Sequence, residues 1–91
     1  MSASGSENFS PTQKAIQVKR AHQAELMAKA NVVGVGVGFR QVGGERTETV
    51  ALVVMVARKL PAAQLAPKDV LPKEIEGVPV DVQEVGEIKA L

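Results

Sequence analysis

Cysteine, tryptophan and tyrosine are missing from this chain altogether, and histidine occurs once. The lack of cysteine removes disulfide staples, thiolate catalysis and cysteine-ligated metals together, and it fits a cytoplasmic protein. With Phe9 and Phe39 as the only aromatics, few large side chains are available to bury. A lone His22 excludes a His-rich metal site. The only serines, Ser2, Ser4, Ser6 and Ser10, fall in the N-terminal tail or at a helix start, so no nucleophile–histidine pair is legible. No enzymatic activity, cofactor or metal is expected. Excess charge is lacking too. The chain holds 11 basic and 10 acidic side chains, a net charge of +1, which gives no electrostatic case for a nucleic acid or a membrane surface. No run approaches the roughly 18 uncharged apolar residues of a spanning helix. The opening "MSASGSENFS" also lacks the basic start and apolar stretch of a secretory signal.

What is present suits one small domain. The 91 residues are 45% hydrophobic, drawn from Val, Ala, Leu, Ile and Met. A core of such modest side chains is thin, and small domains of this kind often gain stability by oligomerising. Charge is unevenly spread. Residues 1–59 carry eight basic and four acidic side chains, residues 60–91 three and six. Ordinary solvated surface explains that split better than a head-to-tail contact does.

Residues 1–9 are small and polar and read as a disordered tail, leaving a single domain over 10–91. "SPTQ" then offers a capping serine, a proline for the first helical turn and Gln13 as capping-box partner. The pattern predicts a helix from Pro11 to about Lys29, with Ala15, Ile16, Val18, His22, Leu26, Met27 and Ala30 on its apolar half. At Asn31 the period changes from helical to twofold. Val33, Val35, Val37 and Phe39 point one way; Val32, Gly34, Gly36, Gly38 and Arg40 point the other. Gly43-Gly44 suits a hairpin turn, and a second strand runs from about Thr47 to Arg58. That strand is apolar on both sides, which predicts cover on both faces. A proline-punctuated connection follows, with short helical turns expected after Pro61 and near Lys73. Val78, Val80 and Val82 then mark a third strand, which Pro79 assigns to a sheet edge. The expected fold is α+β, one long helix on a three-stranded sheet.

"NVVGVGVGFR" invites comparison with phosphate-binding loops, and fails it. A dinucleotide fingerprint needs G-x-G-x-x-G between a strand and a following helix. Here the spacing is G-x-G-x-G, and the helix comes first. Twofold glycines more simply clear one strand face so that another backbone, such as a helix, approaches closely. His22 lies on the apolar side of its helix and reads as a packing residue. Glu74 with Glu76, and Asp81 with Glu84 and Glu87, read as solvated charge rather than a cation site. Phe39 alone makes no base-stacking platform. Lys14, Arg20, Arg40 and Arg46 are the residues that a salt-dependent nucleic-acid contact would use, and no such partner is expected.

"NVVGVGVGFR", "ETVALVVMVARKLP" and "LPKEIEGVPVDVQEVGEI" together resemble the N-terminal module that precedes a trypsin-like serine peptidase domain in a group of bacterial proteins. The resemblance covers roughly Lys14 to Ile88. It implies a module without its enzyme, because the catalytic His and Ser of that family belong to the following domain and have no counterpart here. The residues point to a non-catalytic self-assembly or protein-interaction module, forming a homo-oligomer through an apolar sheet face. The contact candidates are Val33, Val35, Val37 and Phe39 on the first strand, with Val50, Leu52, Val53, Val54, Met55 and Val56 on the second. Sequence does not say which sheet face is core and which is contact. The alternative, implied by the resemblance, is a regulatory or prosegment-like domain acting on a trypsin-like serine peptidase.

Overall fold

The computed structural model describes residues 10–86. The expected tail at 1–9 lies outside them, as does Glu87. Helix α1 spans Pro11–Met27 and begins with the expected capping box. The Ser10 hydroxyl accepts from the Gln13 N–H at 3.1 Å, and the Gln13 side chain accepts from the Ser10 N–H at 3.0 Å. These bonds satisfy donors that a helix start otherwise leaves open. Ala15, Val18 and Leu26 are buried, with His22 half-buried in the same row. The stripe is narrower than expected: Ile16 and Met27 are exposed at 38% and 42%. Ala30 lies past the helix end and is exposed.

The helix stops at Met27, short of Lys29, and the chain then turns at Asn31 with φ of 75°. Asn31 tolerates this left-handed conformation and uses its side chain as an extra rung. Its Oδ1 accepts from the Arg58 N–H at 3.1 Å, its amide donates to the Arg58 carbonyl, and its own carbonyl accepts from the Ala57 N–H at 3.0 Å. The helix exit is thereby tied to the far end of the hairpin that follows.

The sheet has four strands rather than three. β1 (Val32–Val42) and β2 (Glu45–Val56) form the expected antiparallel hairpin. A two-residue β3 (Glu74–Ile75) precedes β4 (Val78–Glu84), and the order across the sheet is β1-β2-β4-β3. β3 hides in the sequence because it is so short. Its turn is Glu76-Gly77, with φ of 51° and 83°, the twofold positive pattern of a tight hairpin. β4 runs parallel to β2, which requires the long crossover that residues 57–77 supply. That crossover makes short 3-10 turns at Ala62–Gln64, as expected, and at Pro67–Asp69 instead of near Lys73. The Pro79 end of β4 is covered by β3, while among the described residues Val80–Glu84 has only β2 beside it and forms the edge there. Pairing with β2 starts one residue after Pro79, at Val80, so the missing N–H interrupts no bond of that ladder.

Register decides which side chains meet the helix. Val35 pairs with Val54 and Val37 with Leu52, while Leu52 and Val54 pair on their other side with Val80 and Val82. This layer lies under α1. Leu26, Leu52 and Val54 are fully buried, and Val56 and Val78 nearly so. Each such side chain contributes roughly 1.5–3 kcal/mol by leaving water. A register irregularity between Val32 and Gly34 shifts the alternation, so that Val32 packs on the core and Val33 is not part of it.

The Asn31 bridge yields the first prediction. Asn31→Ala should destabilise the domain by about 2 kcal/mol, from strained backbone and lost hydrogen bonds. Asn31→Gly keeps the backbone freedom and should cost about half as much. Urea denaturation that ranks the two equally would show that backbone conformation contributes nothing here.

Candidate interaction surface

The face of the sheet away from the helix is the glycine face. Gly34, Gly36 and Gly38 pair across the hairpin with Met55, Val53 and Ala51. The helix packs on the valine side, so the expectation that these glycines admit a helix is corrected. Side chains of the neighbouring strand use the space instead. A Cβ on Gly34 would come within 2.9 Å of the Met55 methyl, and one on Gly38 within 3.4 Å of a Val53 methyl. Met55 and Val53 lean over β1 because nothing projects from it.

The missing side chains also let the sheet curl. β1 and β4 are separated by β2, and a flat sheet would hold them about 10 Å apart. Yet the Asp81 carboxylate on β4 accepts from the Gln41 N–H on β1 at 3.1 Å, and from the Gln83 amide at 2.9 Å. A second irregularity helps: between the pairs Phe39–Val50 and Gln41–Arg46, β1 advances two residues and β2 four. Extra residues on one strand of a pair bend it. The glycine face is therefore concave. Ala51 is fully buried there, while Val53 and Met55 remain partly exposed. Asp81 and Gln83 border it with polar groups that sequence reading did not place, because their position depends on the parallel register of β4.

The ten sequence candidates divide between the faces. Leu52, Val54 and Val56 belong to the core, and Val35, Val37 and Val50 pack against it. Those six serve the domain's own packing beneath α1. Val53 and Met55 lie on the glycine face. Phe39 ends the regular part of β1 and Val33 is the unpaired residue of the irregularity at its start; both lie outside the core cluster. Phe39 is 37% exposed, with the Arg46 guanidinium 4.5 Å from its ring centroid.

The remaining polar groups have separate partners. His22 Nε2 and Glu76 Oε2 are 2.7 Å apart, which joins α1 to the β3–β4 turn. A catalytic pair of this type needs a nucleophile in reach, and Ser10 lies about 18 Å away along the helix. Glu84 accepts from the Lys59 N–H at 2.7 Å and Asp69 from the Ala30 N–H at 2.9 Å. Among the described residues no group of three His, Cys, Asp or Glu side chains is placed to hold a metal ion. Between the helix exit and the carboxyl ends of β2 and β4 lies an apolar cleft of about 300 Å³, bordered by Val32, Val56, Leu65, Leu71 and Val82. No helix of the described residues is long and apolar enough to cross a membrane.

The His22–Glu76 contact is partly exposed, and pairs of that kind contribute at most about 1 kcal/mol. His22→Gln should accordingly leave the urea midpoint and any assembly nearly unchanged. Loss of assembly at normal helix content would assign His22 a functional role.

This chain belongs to the NARROW LEAF 1 N-terminal domain family, whose model matches residues 12–85. The match runs from the first turn of α1 to just past β4, the whole of the architecture described above. Its description specifies an N-terminal domain and mentions neither a peptidase nor a bacterial source. Comparison with curated proteins finds no match.

Proposed function

We propose that this domain is a non-catalytic self-assembly and protein-interaction module that forms a homo-oligomer through its glycine-lined sheet face. One observation carries the proposal: the single helix covers the valine face of the central strand, and Val53 and Met55 on the opposite face stay partly exposed. Contiguous apolar surface rimmed by polar groups is where protein contacts form, and Val53 and Met55 are neighbours on this face. The concave shape and the polar border of Asp81 and Gln83 supply an apolar centre with a polar rim, the usual anatomy of a protein contact. Near-neutral charge argues against nucleic acid as the partner. The cysteine-free composition favours the cytoplasm.

A second reading draws on the sequence resemblance and on the family's description as an N-terminal domain. In it, the same face docks on a trypsin-like serine peptidase and regulates it. Co-purification of such a peptidase with the wild type, lost with Val53→Glu, would favour this reading over self-assembly.

Adjacent residues on β2 separate folding from contact. Val54 is fully buried beneath the helix, so Val54→Glu places an unpaired charge in the core and should unfold the domain. Val53→Glu puts the charge on the open face, where it reaches water once subunits part. That variant should keep its circular dichroism spectrum and fall to the monomer mass of 9.6 kDa by light scattering. A wild type already monomeric at tens of micromolar would remove the self-assembly reading.

A further inference from the structure

The two edges of the sheet are built differently. The β3 edge is guarded: β3 is two residues long, and the stretch of β4 beyond it carries Asp81 and Glu84. Short strands and charges are the usual defences against pairing with another chain. β1, on the other side, is 11 residues long and has no neighbour on its outer side among the described residues. From Val32 to Phe39 it carries neither charge nor proline. Every second residue of an edge strand points its N–H and C=O outward, so this edge presents a row of backbone groups for pairing.

We infer that the outer edge of β1 pairs with the same edge of a second copy of this chain, antiparallel about a twofold axis through Gly36. The inference rests on the self-assembly reading for the identity of the partner, and adds a surface that reading does not use. The side chains select a copy of the same strand. Val33 and Phe39, the two apolar candidates of β1 left outside the core, lie equally far from Gly36 on either side. Twofold pairing brings Phe39 of each copy to the end of the other's regular stretch, beside Val33, which the irregularity leaves without a partner on β2. Val35 falls opposite Val37 of the second copy, which continues the valine layer from one helix to the next. Glycine meets glycine on the concave face. No charged residue lies between Val32 and Phe39, so no like charges are opposed over the regular stretch. The result is one continuous eight-stranded sheet with both helices on the same side.

Gly36 gives access to the axis. Its backbone is not in the left-handed region, and a Cβ there would meet only the Met55 methyl at 3.9 Å, an ordinary contact. Gly36→Lys and Gly36→Glu each oppose two like charges across the axis, and each should raise the dimer dissociation constant about twofold to fivefold at low salt. An equimolar mixture of the two should restore wild-type affinity. Hydrogen exchange on the wild-type dimer should show the outward amides of Gly34–Phe39 protected as well as those bonded to β2, with only the outward set losing protection on dilution to monomer. Val53→Glu separates the surfaces: a dimer that survives it and yields to Gly36→Lys is held by the edge. Gly36 also borders the open face, so loss of the dimer in both variants leaves the decision to the exchange pattern. If Val53→Glu breaks the dimer and neither Gly36 variant does, the edge inference falls and the face reading stands. A monomeric wild type removes both. Should either Gly36 variant fail to fold, the exchange pattern decides alone. Unprotected outward amides in the dimer, or protected ones in a monomer, overturn the pairing.

Discussion

The register of β2 against its two neighbours is the constraint on which the rest of this domain depends. Among the described residues β2 is the only strand with long ladders on both sides, antiparallel to β1 and parallel to β4. Leu52 and Val54 are therefore flanked by valines on either side and covered by α1 from above. A slip of one residue would exchange the entire layer of Leu52, Val54 and Val56 for Ala51, Val53 and Met55. Both sets are apolar, so hydrophobicity alone would not forbid the slip. Shape does. The glycines of β1 leave room for Met55 and Val53 to lean across them, and the valines of β1 do not. The alternation of Val and Gly on β1 thus assigns the two faces of β2.

The same alternation explains how the concave face becomes polar at its border. Without side chains on the inner side of β1, the hairpin bends far enough for the Gln41 N–H to reach Asp81 across the intervening strand. A carboxylate from β4 then completes a hydrogen bond that an end of β1 would otherwise leave to water. Curvature, polar satisfaction and the burial of Ala51 on this face follow from one feature of the sequence.

Local patterns made much of the fold legible, and long-range pairing accounts for what stayed hidden. The capping box at Ser10 and Gln13, the hairpin over Gly43-Gly44 and the end of the helix before Asn31 depend on residues close together in sequence. The narrow stripe on α1 does not: Ile16 and Met27 fit the wheel, yet the sheet reaches only as far round as Ala15, Val18 and Leu26. β3 was missed because two residues carry no periodicity, and because Glu76 occupies a left-handed position that asparagine or aspartate more often advertises. Pro79 is no sign of a missing neighbour because the rule against proline applies to a paired N–H, and the ladder of β4 with β2 starts one residue on, at Val80. As for the surface, the ten candidates included both faces of β2, and only the register separates Val53 and Met55 from Leu52, Val54 and Val56.

On the self-assembly reading, stability and association are coupled in this domain. The described core has only Leu26, Leu52 and Val54 as large side chains fully removed from water. A domain of this size buries a smaller share of its surface than a larger one, and so keeps a narrow margin over the unfolded chain. The three glycines deepen that shortfall. They add conformational entropy to the unfolded state and contribute no side-chain burial to the folded one. They therefore withhold from the monomer the second packed layer that a valine-rich face would have offered, while leaving a surface shaped to receive one from outside. A partner that binds only the folded form returns the missing burial by mass action, in proportion to its concentration. On the self-assembly reading, the glycines that weaken the isolated domain are the residues through which a partner would stabilise its fold.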